Sequence, residues 1–305
     1  MMFKNLKDIK FSNFYKKFNL VSLILIIFSI TIIVFKGLNL GVDFKGGTLI
    51  EIRSEKSEIK IQEIRQSFLK MNLGDVTVKK FGEKNDYLVK IEINKSQDEN
   101  FIKNIKDKLS ADLGSEINFR RVENVGPKVS SELLKAGLLA IGLSLAAMLF
   151  YIWIRFEWQF SLGAIIAIVH DVLITLGLFS LLSYEVNLSI VAAVLTIVGY
   201  SMNDTVVIFD RIRENLKKYA KIPISEISNI STNETLSRTL ITSITTLLAL
   251  FSIYIFGGAI LKGFSFAMIV GVIVGTYSSI FVATPILNYT KVTQKTILKE
   301  DKEIN

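Results

Sequence analysis

The chain contains no cysteine, and His170 is the single histidine among its 305 residues. Without cysteine there is no disulfide framework and no thiol nucleophile. One histidine cannot build a metal site by itself, and neither an HExxH helix nor a GxSxG elbow is present. A membrane-embedded hydrolase is therefore a poor reading. The glycine-rich stretch GVDFKGGT at Gly41–Thr48 lacks the GxxxxGK[ST] spacing that cradles phosphates, so it is not read as a nucleotide site. No cofactor and no metal are expected. Basic residues are also missing from particular places: none lies in Ser183–Glu185, and only Lys262 precedes the last apolar run.

What is abundant is apolar sequence. The hydrophobic fraction is 50% and the mean hydropathy is +0.44, high for a soluble globule of this length. Six runs account for it: Phe18–Phe35, Ala136–Ile154, Phe160–Leu182, Val186–Phe209, Thr239–Leu261 and Gly263–Thr290. Each is long enough, or nearly so, to cross about 30 Å of hydrocarbon as a helix. The remaining polar sequence is too short to cover them as buried core helices.

Charge orients the spans. Lys4, Lys7, Lys10, Lys16 and Lys17 precede the first run, Arg211, Arg213, Lys217, Lys218 and Lys221 follow the fourth, and Lys291, Lys295, Lys299 and Lys302 follow the sixth. Six crossings put both termini on this basic side, which the positive-inside rule makes cytoplasmic. The net charge of +8 thus reads as topology and as contact with anionic membrane lipids, with no nucleic-acid partner. The first run has no small-residue cleavage site after it and reads as an uncleaved anchor. The stretch Phe3–Phe18 mixes Lys with Phe, Leu and Ile and is expected to lie along the membrane surface.

The expected organisation is a cytoplasmic segment 1–17, a first span 18–35, an outer domain 36–135, a five-helix region 136–290 and a cytoplasmic tail 291–305. Within the outer domain, Thr48–Arg53, Val76–Phe81, Tyr87–Ile93 and Ile117–Val125 read as strands. Ser57–Met71, with Ser57 as its cap, and Asp98–Leu113 read as helices. The order β-α-β-β-α-β is that of a ferredoxin-like fold. The fold class is therefore an α-helical membrane protein with six transmembrane helices and one ferredoxin-like α+β periplasmic domain between helices 1 and 2. That fold says nothing alone about activity.

The inner spans carry polar stripes. Ala164, Ala167, Asp171 and Thr175 share a face of the third, with His170 beside them. Ala192, Thr196, Tyr200 and Asp204 share a face of the fourth, and Arg238, Thr242, Thr245, Thr246 and Ala249 a face of the fifth. An ionisable group within an apolar span costs a few kcal/mol if it faces lipid, so Asp204 and Asp171 are functional candidates. The alternative for Asp204 is that it lies near enough to the cytoplasmic end to reach water. Arg238, at the start of the fifth run, is the nearby cation, with Asn203, Tyr200 and Thr196 as hydrogen-bonding neighbours of Asp204. His170 is a proton-relay candidate because its ordinary pKa is near neutral; Asp171 points about 100° away from it around the helix. The structural alternative for His170 is a hydrogen bond to a neighbouring helix. Gly263, Ala267, Gly271, Gly275, Ser279 and Ala283 form a small-residue ladder on the sixth span, suited either to tight bundle packing or to a partner helix.

Several motifs, in order, carry a resemblance: LNLGVDFKGGT at Leu38–Thr48, VGPKVSSEL at Val125–Leu133, RFEW at Arg155–Trp158, VHDVLIT at Val169–Thr175, GYSMNDTVVIFDRIREN at Gly199–Asn215 and RTLITS at Arg238–Ser243. With these the chain resembles the SecF subunits of the SecD–SecF protein-export complex, of the resistance-nodulation-division superfamily. Phe209 departs from the pattern, standing where a small polar residue is common. The resemblance implies a non-enzymatic subunit of the bacterial inner membrane that uses the proton gradient to assist preprotein translocation. It implies SecD, the SecYEG channel, YajC and unfolded preprotein as partners, and it ties Asp204 and Arg238 to the proton pathway. The alternative is one half of a proton-driven exporter of small molecules or lipids from the same superfamily.

Overall fold

In the computed structural model, six helices among the described residues are long and apolar enough to cross a membrane: Phe11–Lys36, Pro127–Arg155, Trp158–Leu182, Leu188–Lys218, Ile224–Phe256 and Leu261–Tyr289. They are called the first to sixth spans below. The structure describes residues 9–55, 58–74, 76–80, 85–91, 99–219 and 221–297. The chain forms two compact units, a helical bundle and an outer domain made of Leu40–Leu139 with Val186–Leu188.

Three spans are much longer than their apolar runs: the second begins at Pro127, nine residues before Ala136, and the fourth and fifth extend on the basic side. The fourth continues to Lys218, and the fifth begins at Ile224, fifteen residues before Thr239. At 1.5 Å per residue a 31-residue helix reaches about 46 Å, well beyond the hydrocarbon. Hydropathy misses the extensions of the fourth and fifth because polar side chains hold them. Arg211 donates to Glu234 at 2.7 Å, and the Asn215 amide donates to Ser231 at 2.9 Å and Glu234 at 2.7 Å. The fifth span also stops earlier than its run, at Phe256, where Gly258 turns with a φ of 74°.

The sixth span is the centre of the bundle, with 67% of its most apolar window buried, against 11% for the first and second spans. Its small residues are used inside the chain. A side chain at Gly271 would meet Ile197 at 2.3 Å, one at Gly275 would meet Ser201 at 3.0 Å, and one at Gly263 would meet Ile190 at 3.4 Å. The ladder therefore seats the fourth span, the packing role rather than the partner role. Near its end the sixth span widens into a π-helical turn at Ser279–Ala283, just before Pro285. Proline lacks an N–H, and its ring collides with the carbonyl four residues back. The wider turn relieves that collision, and Thr284 Oγ1 donates to the Ser279 carbonyl at 2.8 Å.

Residues 9–14 do not form the surface helix expected of Phe3–Phe18, of which 3–8 lie outside the described residues. They pack into the bundle: Phe11 and Tyr15 are buried. Asn233 bonds both the N–H and the carbonyl of Ile9, and Asn229 bonds the N–H and the hydroxyl of Ser12. Asparagine side chains that satisfy backbone groups compete successfully with water at a membrane surface.

Among the described residues the main sheet of the outer domain has four strands, β1 (Gly47–Ser54), β2 (Val76–Lys80), β3 (Asp86–Ile91) and β4 (Ile117–Val125), with two helices, α1 (Ile61–Lys70) and α2 (Glu99–Leu113), against it and a short helical turn at Val42–Lys45 ahead of it. The sheet order is β2-β3-β1-β4 with antiparallel neighbours, which is the ferredoxin-like topology. Alternation explains the core: Ile50, Ile52, Val76, Val78, Tyr87, Val89, Ile91 and Ile117 bury one sheet face with Ile64 and Phe68 of α1 and Ile105 and Leu109 of α2. Helix α1 starts at Ile61 after Lys60, which makes no side-chain cap; Ser57, the expected cap, lies outside the described residues.

In the glycine-rich stretch, Gly46 and Gly47 have φ of 79° and 122°, which side chains resist. Gly46 also abuts Ser130 and the Val125 carbonyl at 3.3 and 3.4 Å. Ahead of it, Asp43 accepts from the N–H of Leu188 at 2.9 Å, satisfying one of the orphan donors at a helix start. The motif is thus a structural turn.

Tyr87 is fully buried, and its hydroxyl donates to the Ile59 carbonyl at 2.6 Å and accepts from the Ile59 N–H at 2.8 Å. Tyr87→Phe leaves both backbone groups without a partner and should cost the domain about 1–3 kcal/mol. Amide exchange at Ile59 in the full chain measures this and should accelerate at least about tenfold. Gly271→Leu should lower the melting temperature of the purified chain in mild detergent, because its side chain would occupy the space of Ile197.

Candidate functional site

Two carboxylates lie in the bundle on adjacent spans, and their surroundings differ. Asp171 of the third span is wholly buried and fully hydrogen-bonded. His170 Nδ1 lies 2.8 Å from Oδ1, while Ser201 of the fourth span and Ser278 of the sixth donate to Oδ2 at 2.5 and 2.8 Å. Ala164, Ala167 and Thr175 are buried on the same face. The partner of His170 is thus the neighbouring residue in sequence rather than another helix. The two backbone directions diverge, but both side chains are long enough to curve together. The ring of His170 lies 6.0 Å from that of Tyr277 at 26°, and its Nε2 is buried with no hydrogen-bond partner among the described residues.

Asp204 sits about 24 Å along the fourth span at 1.5 Å per residue, one turn beyond Ser201. It is 3% exposed, and its Oδ2 is buried without a hydrogen-bond partner. Thr276 of the sixth span faces it, and Arg238 of the fifth lies within electrostatic reach. Thr276 is in turn bonded to Ser243 of the fifth span at 2.7 Å.

Arg238 is not at the start of its helix. It lies about 21 Å from Ile224 at 1.5 Å per residue, on an exposed face, and makes no ion pair among the described residues. Several other expected members of the site face outward with it. Thr196, Asn203 and Thr245 are exposed, and Tyr200 and Thr242 half-buried. None of Thr196, Tyr200 and Thr242 bonds Asp204: Thr196 and Thr242 donate to their own helix at Ala192 and Arg238, and Tyr200 donates to Thr246 at 3.3 Å. The stripes of the fourth and fifth spans therefore do not line a path enclosed by this chain. Their exposed members, Thr196, Arg238 and Thr245, form a polar band on its outside with Asn203, in a region where lipid offers no hydrogen bonds.

A second charged cluster closes the basic side. Glu157 is 1% exposed and accepts from Arg213 at 3.0 Å; Arg213 also donates to the carbonyl of Arg155 at 3.1 Å. The guanidinium groups of Arg155 and Arg213 lie 5.0 and 5.6 Å from the ring of Phe156. Phe156, Phe160 and Phe209 meet with centroids 5.1–6.1 Å apart. Here Phe209 fills an aromatic core that locks the loop between the second and third spans to the end of the fourth. Sequence reading had the RFEW and DRIREN motifs but not their pairing, nor Ser201 and Ser278. A lone serine in a span gives no signal until its neighbour is known.

The family model for "Protein export membrane protein SecD/SecF, C-terminal" matches residues 105–293, and that for the "SecD/SecF GG Motif" matches residues 31–58. The chain belongs to the SecD/SecF family. It is 45% identical over 283 residues to the protein translocase subunit SecF of Rickettsia bellii, covering 92% of each chain. It is 44% identical over 300 residues to the same subunit of Calditerrivibrio nitroreducens, covering 96% of this chain and 98% of that one. Among solved structures, it superposes on the crystal structure of SecDF from Thermus thermophilus with a TM-score of 0.85 at 33% identity, covering 93% of this chain and 39% of that one. A structure of SecDF in the super-membrane-facing form matches with a TM-score of 0.70 at 33% identity, covering 98% and 40%. The chain thus spans about two fifths of those structures' length. It is a multi-pass membrane component of protein transport, and its named relatives are protein translocase subunits.

The basic-side cluster yields a stability contrast. Glu157→Ala leaves Arg213 without its buried partner and should cost about 3–5 kcal/mol. Arg155→Ala breaks only the exposed pair with Asp210 (2.8 Å) and the Phe156 contact, and should cost about 1 kcal/mol or less. Melting of the two variants in the same detergent checks the ranking.

Proposed function

We propose that this chain is the SecF-type half of a proton-driven accessory unit of the Sec translocase in the bacterial inner membrane. It assists translocation of unfolded preprotein and works with SecD, the SecYEG channel and YajC. The observation that carries the reading is a buried carboxylate, Asp204, whose Oδ2 has no hydrogen-bond partner among the described residues, beside an exposed polar band that holds Arg238, the cation within its electrostatic reach. A charge and hydroxyls cannot face lipid at that depth without cost, so a second membrane half covers them. The solved SecDF chains, being more than twice the length matched here, have room for that half. The named relatives, translocase subunits, favour this reading over the exporter alternative.

In this reading Asp204 takes up a proton from the outer side and releases it to the cytoplasm, and Arg238 responds to the change of charge. The third-span dyad, His170 and Asp171, lies one turn away. One charge moved across the field is worth about 2.3 kcal/mol per 100 mV, enough to bias a two-state bundle. The segments 1–17 and 291–305 are cytoplasmic, 36–135 is the periplasmic domain, and 18–35 with 136–290 lies in the membrane. The basic ends contact anionic lipids.

Asp204→Asn preserves size and polarity but cannot ionise. It should assemble normally with the partner half yet lose gradient-driven stimulation of export in membrane vesicles, and Arg238→Ala should impair the same step. Wild-type stimulation by Asp204→Asn rules the role out. For the topology, reporters fused after Leu113 and after Asn305 should register opposite sides of the membrane; equal signals overturn it.

A further inference from the structure

We infer that Asp171, with His170, Ser201 and Ser278, is a positioning knot that holds the fourth and sixth spans in the rotation that buries Asp204, and is not itself a station for the proton. The inference rests on the function proposed above and assigns one part of that site. Three observations lead to it. First, the Asp171 carboxylate is hydrogen-bonded at both oxygens, with His170 at Oδ1 and with Ser201 and Ser278 at Oδ2. Asp204, by contrast, keeps an open oxygen. Second, no protein side chain among the described residues continues the dyad: His170 Nε2 has no hydrogen-bond partner among them, and Tyr277, the titratable group its ring faces, is committed to Ser22 and the Phe18 carbonyl, each at 2.8 Å. A relay needs a donor or acceptor beyond each member.

Third, the knot grips the two helices that place Asp204. Ser201 lies three residues before Asp204 on the fourth span, and so on neighbouring positions of one face. Ser278 lies two residues after Thr276, which faces Asp204. Between them the sixth span approaches without a side chain at Gly275, which sits against Ser201. The π-helical turn begins at the residue after Ser278, so the knot also pins the end of the regular helix where the sixth span is least regular. Turning the fourth span would have to break the Ser201 bond. The charged group facing Asp204 from the fifth span is Arg238; Thr276 faces it from the sixth, and Asp171 approaches from the third only through Ser201.

The test uses the chain assembled with its partner half in vesicles that hold a proton gradient. Asp171→Asn retains a carbonyl oxygen and an amide that can satisfy the same three neighbours, but it cannot carry a proton. It should keep stimulation within about twofold of wild type, while Asp171→Leu, which removes every bond, should lose about tenfold. A second readout is the pH profile of carbodiimide labelling at Asp204, followed by mass spectrometry. Its midpoint should stay put in Asp171→Asn. It should move by about half a pH unit or more in the double variant Ser201→Ala with Ser278→Ala, which leaves both carboxylates in place. Loss of stimulation in Asp171→Asn with an unchanged labelling profile makes Asp171 a proton carrier and overturns the inference. An unmoved midpoint in the double serine variant overturns it as well, even if Asp171→Leu fails to assemble. Failure of the proposed function is a separate result, seen as wild-type stimulation by Asp204→Asn.

Discussion

The hydrocarbon interior supplies no hydrogen bonds, and the arrangement of this bundle follows from that. Each polar group on the spans has to be matched by another part of the protein. Asp171 meets the demand within the chain, drawing the third, fourth and sixth spans together on a single carboxylate. The glycines of the sixth span make the approach possible, since a side chain at Gly271 or Gly275 would strike the fourth. Close backbone packing and saturated polar contacts are two sides of one solution.

On the outward side of the fourth and fifth spans the demand is met differently, with threonine hydroxyls turned back onto carbonyls of their own helices. The outward band of Thr196, Asn203, Arg238 and Thr245 is exposed among the described residues. Such a surface has a different logic from the first and second spans, whose exposed large side chains are chiefly Leu, Ile, Val and Phe, with Tyr151 and Trp153. On the basic side, where water is available, charge is handled differently again. Exposed pairs such as Arg155–Asp210 add little, but Glu157 is buried under an aromatic cluster, and the bond from Arg213 ties the loop after the second span to the fourth helix.

Much of this was legible in the residues. Six spans follow from apolar run length, and the ferredoxin-like domain follows from the order of period-2 and period-3.6 segments, with strand limits within a few residues at Thr48–Arg53 and Ile117–Val125. Helix ends were misplaced where polar sequence continues a helix: Leu188–Lys218 and Ile224–Phe256 extend on side-chain bonds between the two helices that hydropathy cannot register. The N-terminal stretch was assigned to the membrane surface because its Phe and Lys are amphipathic, whereas Asn229 and Asn233 more than two hundred positions away capture its backbone.

The sequence by itself determined which groups are costly in a membrane: two carboxylates, one histidine and one arginine in apolar surroundings are conspicuous wherever they point. It also determined the spacing of residues along each helix, since 3.6 residues per turn is a local property. Only the tertiary structure decided which stripe faces which neighbour. Helix rotation about its own axis is set by long-range packing, here by Gly271 against Ile197 and by Ser201 and Ser278 on Asp171. That rotation makes Asp171 a closed knot, leaves Asp204 with an open oxygen, and turns Thr196 and Arg238 outward, three outcomes that the same local pattern permits equally.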